Sequence, residues 1–360
     1  MKDKAPTLVI NGSFLAQPLT GVQRFAVEIC RRLLEQHPQA ELVAPRNLPP
    51  SEAVIALKPR VIGHFTGHLW EQLDLWWYAR RRRALLLNLD MKGPLLYFRK
   101  IITIHDLNFL HNPHWVSRRF YYFYRTLVYI GSRTSQHILT VSQFSKQEIV
   151  RYLGLPADRI TVVYNAVGPV KKNPTKRVVE APYVLSVASA DPRKNLNRLM
   201  RAFGQLAQQN VHLILVGLPH RKATAEKADE GNVVFLGYVD EATLVNLYQH
   251  AAVFVYPSLY EGFGIPPLEA MCYGCPVVVA NSSSLPEVCT DAAYYVDPDD
   301  ERSIAEGIQR VLNDNVLRKD LINRGHRRVK EFSWDQSVHD LREVLNALEA
   351  QRNNDARLPL

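Results

Sequence analysis

"GPVKKNPTKRVVEAP" occupies residues 168–182. It is rich in proline and lysine and has no apolar period, so it reads as a linker between two folded parts. On its N-terminal side short apolar runs alternate with helical patterns. "TLVING" (7–12) precedes "GVQRFAVEICRRLLEQ" (21–36), in which Val22, Phe25, Ile29 and Leu33 recur at helical spacing. "KIITIHD" (100–106), "HILTVS" (137–142) and "ITVVYNAV" (160–167) read as buried strands. Beyond the linker the alternation restarts with "YVLSVAS" (183–189), a helix from Leu196, "VHLILVG" (211–217) and "NVVFLGYV" (232–239). It continues with a helix from Glu241, "AVFVYPS" (252–258), a helix from Pro267 and "PVVVAN" (276–281). Continuous apolar strands between helices argue for parallel sheets covered on both faces. The prediction is therefore an α/β protein of two Rossmann-like, doubly wound domains with a cleft between them, ligands sitting outside the carboxyl ends of the strands. No internal repeat of 20–50 residues is evident.

Composition agrees. At about 150 residues per domain, 360 residues suggest two domains, each able to bury a core. Apolar residues make up 47% and charged residues 22%, an ordinary globular balance that leaves disorder to the ends, such as 351–360. Four cysteines (Cys30, Cys272, Cys275, Cys289) are too few for a disulfide scaffold. "MKDKAPTLVINGS" has no leader-type apolar stretch, and no run reaches the roughly 18 apolar residues of a membrane span. These features predict a soluble protein of the cytoplasm. Charge is uneven: residues 1–170 hold 22 Lys+Arg against 11 Asp+Glu, residues 171–360 hold 22 against 24. A basic first half attracts phosphates, whether of nucleic acid, lipid or a small ligand.

"EGFGIPPLE" (261–269) follows a strand. Pro267 suits the first turn of a helix, which puts Glu269 in that turn. Gly262 and Gly264 permit positive φ and close backbone approach. A first-turn glutamate alone is explained by the helix dipole. The concentration of glycine, proline and two carboxylates is not. Carboxylates repel phosphate but accept sugar O–H groups well, so one could hold a ribose and the other a hexose.

"EGFGIPPLEAMCYGCPVVVANSSSLPEV" resembles the E-x7-E region of retaining glycosyltransferases of family 4, which have the GT-B fold. "VASADPRKNLNRLMRAF", "TIHDLNFLHNPHW", "TGVQRFAVEI", "VSQFSKQEI" and "VVYNAV" resemble further segments of that family, in order, over nearly the whole chain. The resemblance implies an acceptor-binding domain over 1–168, a linker over 169–182, a nucleotide-sugar domain over 183–335 and a final helix over 336–352 returning to the first domain. It implies that Glu269 contacts the ribose, that Glu261 lies by the sugar hydroxyls, and that Gly262, Phe263, Gly264 and Ile265 border the donor. Arg193 and Lys194 would hold the donor diphosphate; a solvated basic turn is the plainer explanation of such a pair. Gly21 would let the backbone approach a donor phosphate, although Thr20 and Gln23 stand where many relatives have smaller residues. His105 would bind the sugar or support the reacting centre. Arg193, Lys194, Glu261 and His105 make up the expected catalytic set, with no cofactor and no metal.

Other groups have plainer readings. His105, His111, His114 and Asp106 supply enough ligands for zinc but no assured convergence. "CYGC" (272–275) lacks a second pair and fits a helix-to-strand turn. Asp297-x-Asp299 matches a metal-binding D-x-D superficially, yet precedes a helical run, where aspartate caps. "LWEQLDLWWYARRRRALLL" (69–87) and "FYYFYR" (120–125) mix aromatic and basic residues, which suits either an anionic membrane interface or ordinary helices with core aromatics.

The reading is a retaining hexosyltransferase. "WEQLDLWW" and "LLLNLDMKGPL" look most like bacterial mannosyl- and related transferases of O-antigen or exopolysaccharide assembly. GDP-mannose is the first donor expected, and a glycan or polyprenyl-diphosphate-linked glycan the acceptor, with possible peripheral contact at the inner face of the cytoplasmic membrane. A GT-B nucleotide-sugar 2-epimerase is one alternative. A nucleic-acid-binding protein is another, but no such motif is visible and the acidic loop would go unexplained.

Overall fold

A computed structural model of the chain describes residues 8–18, 20–91, 93–168, 177–180, 182–187, 189, 191–206, 210–217 and 232–355. The chain divides into two compact units, Met1–Asn165 with Ser333–Leu360, and Ala166–Phe332. Most of the expected linker lies outside the described residues.

Among its described residues the first unit is built on seven parallel strands. They are β1 (Leu8–Asn11), β2 (Ala40–Ala44), β3 (Arg60–Val61), β4 (Leu85–Asn88), β5 (Lys100–Thr103), β6 (His137–Thr140) and β7 (Ile160–Val162), in the order β3-β2-β1-β4-β5-β6-β7. β1, β4 and β5 are buried throughout, as expected for strands covered on both faces. The order reverses between β1 and β4, which pair Asn11 with Asn88 at their carboxyl ends. Asn11 Nδ2 donates to Asn88 Oδ1 at 3.0 Å, and Asn88 Nδ2 to the Ile101 carbonyl at 2.9 Å, so both buried amides are satisfied. The C-terminal helix Trp334–Asp355 packs on the helix Gly21–Gln36, with the Phe25 and Trp334 rings 6.1 Å apart.

Among its described residues the second unit has six parallel strands. They are β8 (Tyr183–Val187), β9 (His212–Val216), β10 (Val233–Gly237), β11 (Val253–Tyr256), β12 (Val277–Ala280) and β13 (Ala293–Val296), in the order β10-β9-β8-β11-β12-β13. Here the reversal falls between β8 and β11. The fold class read from the sequence, two doubly wound parallel α/β domains, is the one observed. Asp300 caps the helix Glu301–Asn313, accepting from the Arg302 N–H at 2.9 Å, which is the capping reading of "DPDD".

Two local expectations are corrected. The helix expected from Pro267 begins earlier, at Ile265, because Gly264 in the left-handed region (φ 96°) turns the chain into it. Glu269 is therefore the fifth helical residue, past the first turn, and the dipole explanation of it weakens.

His137, half-buried at the start of β6, is held neutral. Burial first, then the charges of Arg159 and Lys146, lower its pKa to about 4. Its folded pKa lies below the usual 6.5, so its contribution to stability is complete above pH 6.5 and is lost as pH falls towards 4. A Tm–pH profile should therefore slope downward across that window, and His137→Gln, which keeps a donor for Thr161, should flatten it. An unchanged slope in the variant would refute the assignment.

Candidate active site

The carboxyl ends of β8 and β11 lie side by side at the strand-order reversal, the usual ligand position in a doubly wound sheet. The loop after β8 carries Arg193 and Lys194 in a single 3-10 turn, Pro192–Lys194. The loop after β11 carries Glu261. Lys194 Nζ is 2.6 Å from Glu261 Oε1, and Arg193 Nη1 is 3.4 Å from Glu261 Oε2. Arg193 Nε also donates to Asp191 Oδ2 at 2.7 Å. Lys194 Nζ further donates to the Tyr256 hydroxyl and lies 4.9 Å from that ring's centre.

Burial opposes charge on Glu261, whose side chain is 8% exposed, but the Lys194 and Arg193 charges outweigh it and hold the carboxyl below its ordinary range. Burial likewise opposes charge on Lys194, and the Glu261 charge, with the Tyr256 hydroxyl beside it, offsets it, so the ammonium is held above its usual pKa. All three groups are thus charged at neutral pH, and the carboxylate bridges the two cations.

Three devices hold this geometry. Asn195 takes the left-handed conformation (φ 59°) between the basic turn and the helix Leu196–Gly204, and its Nδ2 bonds the carbonyls of Pro257, at 3.1 Å, and Pro298. The Leu259 N–H donates to the Arg193 carbonyl at 2.8 Å, tying the loops together. Ser283 accepts from the Glu261 N–H at 2.9 Å, while Ser284 donates to the carbonyls of Glu261 and Phe263. At Gly264 the positive φ disfavours any side chain, and a Cβ there would lie 2.6 Å from Leu285 Cδ2, which would have to shift.

Glu269 stands half-buried in the helix Ile265–Cys272, where the Tyr248 hydroxyl donates to Oε2 at 3.2 Å. Burial and the neighbouring Glu269 charge push the Tyr248 phenol well above its ordinary pKa, so it remains a donor. Gly262, Phe263 and Gly264 are buried and Ile265 is half-buried. Arg193, Lys194, Glu261 and the loop behind it are brought together, with Glu269 on the adjoining helix.

Gly21 and His105 belong to the first unit. Gly21 opens its helix behind Thr20, whose N–H donates to Gln23 Oε1 at 3.2 Å, so the two unusual residues of this loop cap the helix. His105 is buried two residues past β5, with Nε2 3.0 Å from the Leu89 carbonyl. A carbonyl only accepts, so Nε2 carries the proton and Nδ1 keeps its lone pair. Burial lowers the His105 pKa against the opposing pull of that bond, so the ring is neutral. The Phe25 ring, one turn past Gly21, meets His105 edge-on at 5.1 Å.

The three histidines do not converge. His105 faces a carbonyl, His111 Nδ1 lies 3.6 Å from Glu148, and His114 is exposed. Among the described residues no cluster of three or more His, Cys, Asp or Glu could hold a metal. Cys272 and Cys275 are buried free thiols, both shifted up by burial. Sequence reasoning did not identify Asn195, Tyr248, Tyr256 or the Ser283–Ser284 brace. Only Asn195 carried a local signal, since asparagine next to a helix start tolerates the left-handed conformation.

Residues 19–171 match the family described as Glycosyltransferase Family 4, and residues 169–328 that described as Glycosyl transferases group 1. O-antigen chain mannosyltransferase B of Escherichia coli is 31% identical over 356 residues, 88% of this chain and 93% of that protein. O-antigen chain mannosyltransferase RfbU of Salmonella typhimurium is 31% identical over 62% of this chain and 64% of its own length. The structure of Anabaena HepE in complex with UDP-glucose superposes with a TM-score of 0.75 at 18% identity, covering 94% of this chain and 99% of that one.

Gly264→Ala should destabilise the protein by about 1–3 kcal/mol in denaturant titration, from backbone strain and the Leu285 clash. A loss under about 0.5 kcal/mol would mean that the loop relaxes freely.

Proposed function

The chain belongs to the family 4, group 1 glycosyltransferases, and from that premise we propose that it transfers mannose from GDP-mannose, with retention, to a glycan in bacterial surface-polysaccharide assembly. The observation that carries this reading is the Arg193–Lys194–Glu261 cluster at the strand-order reversal of the second unit. The O-antigen mannosyltransferases at 31% identity support the choice of sugar, and the UDP-glucose complex of a structural neighbour supports a nucleotide sugar as donor.

On this reading the second unit binds the donor and the first the acceptor. Arg193 and Lys194 meet the donor diphosphate, Arg193 through its planar fork and Lys194 as a point charge. Glu261 then exchanges its cation partners for hydroxyls of the sugar, and Glu269 accepts from the ribose. The amides of Gly262, Phe263 and Gly264 and the side chain of Ile265 border the sugar. Gly21 lets the first unit's backbone approach the donor phosphate. His105 accepts a substrate hydroxyl at Nδ1, the neutral ring being suited to hold a donor and unsuited to act as a cation.

The bond from the anomeric carbon to the diphosphate oxygen breaks and negative charge gathers on the leaving phosphate. Fixed cations aimed there lower the barrier. The acceptor oxygen attacks the same face, and its proton passes to the departing phosphate oxygen. The transition state is oxocarbenium-like. The reading calls for neither cofactor nor metal. It places the enzyme in the cytoplasm, with a polyprenyl-diphosphate-linked glycan as acceptor and peripheral contact with the membrane's inner face. Among the described residues no helix is long and apolar enough to cross a membrane.

A thermal-shift panel of GDP-, UDP-, dTDP- and ADP-sugars tests the donor: GDP-mannose should raise Tm most, and Glu269→Ala should reduce that rise. Incubation of the donor without acceptor should yield no isomerised sugar nucleotide; an epimerised product would replace transfer with 2-epimerisation.

Lys194→Ala should lower kcat by a factor of order 100 or more in a transfer assay. Turnover within a few-fold of the parent would remove Lys194 from the diphosphate.

A further inference from the structure

Two segments of the first unit turn aromatic rings and arginines outward together. In the helix Arg118–Arg133, Leu127, Val128 and Gly131 face the core while Tyr122, Phe123, Tyr129 and Ile130 are exposed, pairs seven residues apart on one stripe. In the helical stretch 67–82, Trp70 is buried and Trp76 half-buried, but Leu69, Leu73 and Trp77, spaced by four, are exposed, Trp77 to 55%. The two stripes adjoin. The His68 and Phe123 rings are 5.4 Å apart, and the Gln72 side chain holds the Gly93 carbonyl and the Leu95 N–H. The connecting loop adds Leu96 and Phe98, 71% and 64% exposed.

Residues 67–83 and 118–133 contain eight arginines and only two acidic residues, Glu71 and Asp74. Glu71 is buried, and Asp74 is occupied by the N–H groups of His64 and Phe65. Arginines lie beside the exposed rings: Arg81 is 5.1 Å from the Trp77 ring centre and Arg133 3.5 Å from that of Tyr129. A contiguous apolar surface of this kind marks an interaction site. Its charge selects the occupant. A second copy of the chain would bring eight more arginines to the contact. A bilayer containing anionic lipid offers an apolar layer under a negative one, matching rings flanked by guanidinium groups.

We propose that this face is a docking surface for an anionic lipid bilayer, with the exposed rings seated at headgroup level and the arginines on lipid phosphates. Both helical segments begin at the carboxyl edge of the first sheet, one leading back into β4 and the other, after β5, into β6. The Phe109 and Phe120 rings, 6.4 Å apart, join that edge to the patch. The docked face therefore runs up to the edge that holds His105. If the acceptor is lipid-borne, which rests on the proposed function, its reactive end is delivered there.

The test is co-sedimentation of the full chain with phosphatidylcholine vesicles, with and without phosphatidylglycerol, alongside the GDP-sugar thermal shift and gel filtration. Binding is expected only to the anionic vesicles and should be lost at high salt. Leu73→Ser/Trp77→Ser/Phe123→Ser and Arg80→Gln/Arg81→Gln should each weaken it by about tenfold or more, with an unaltered donor-induced shift showing an intact fold. Equal binding to both vesicle types, or parental binding by both variants, would overturn the proposal. So would a patch that controls only a monomer–dimer equilibrium with no vesicle binding. Vesicle binding without any sugar-nucleotide response would sink the proposed function and leave the surface standing.

Discussion

A carboxylate buried between two cations organises the second unit. Glu261 is reached by Lys194 and Arg193 only because β8 and β11, distant in sequence, are neighbours in the sheet. Each loop alone would leave charge in a dry place, and breaking a buried pair by removing one partner costs about 3–5 kcal/mol. The surrounding devices follow from that constraint. Asn195 adopts a conformation most residues avoid so that the basic turn can end and a helix begin without moving Lys194. Ser283 and Ser284 fix the Glu261 backbone, and Gly264 gives the chain its turn into the helix behind.

The chain contains an internal control for the role of counter-charge. Lys100 is as buried as any described residue of the first unit, but among the described residues its ammonium has no carboxylate partner. It donates to the Tyr97 carbonyl at 2.8 Å, the Thr134 hydroxyl at 2.7 Å and the Leu95 carbonyl at 3.3 Å. Desolvation then prevails and lowers its pKa to about 8. For Lys194 the same desolvation is overcome by Glu261, and the pKa moves up. Carbonyl dipoles satisfy the hydrogen bonds of a lysine without fixing its charge; a carboxylate does both. Only the second arrangement holds the ammonium above its usual pKa.

The sequence disclosed whatever is local or periodic. Strand β11 is an unbroken apolar run and β8 is one interrupted only by Ser186, and the helix Gly21–Gln36 has its apolar residues at i, i+3, i+4 and i+7 spacing. Arg193, Lys194 and Glu261 were legible as chemistry because each follows a strand. Their mutual pairing was not, since it depends on sheet order. Tyr248 and Tyr256 look like ordinary core tyrosines in sequence, and only the fold shows their hydroxyls on Glu269 and Lys194. The misplaced helix start at 265–272 has the same origin: prolines at positions 266 and 267 advertise a first turn but do not say which residue opens it. The aromatic and arginine runs at 69–87 and 120–125 admitted two readings because burial was unknown. The fold divides them, with Trp70 in the core and Trp77 outside.

The cluster is electrically balanced, with Arg193 and Lys194 against Asp191 and Glu261. A free diphosphate entering it must displace Glu261 from its cations, and the carboxylate would then stand buried without a partner. That penalty offsets much of the attraction. A sugar diphosphate brings hydroxyls as well as phosphates, so the carboxylate loses two cations and gains O–H donors in one event. On the proposed reading, Glu261 therefore discriminates by exchange. It would admit an anion to the Arg–Lys pair when a polyol arrives with it, so that on this reading a nucleotide sugar would be favoured over its bare nucleotide by the carboxylate as much as by the cations.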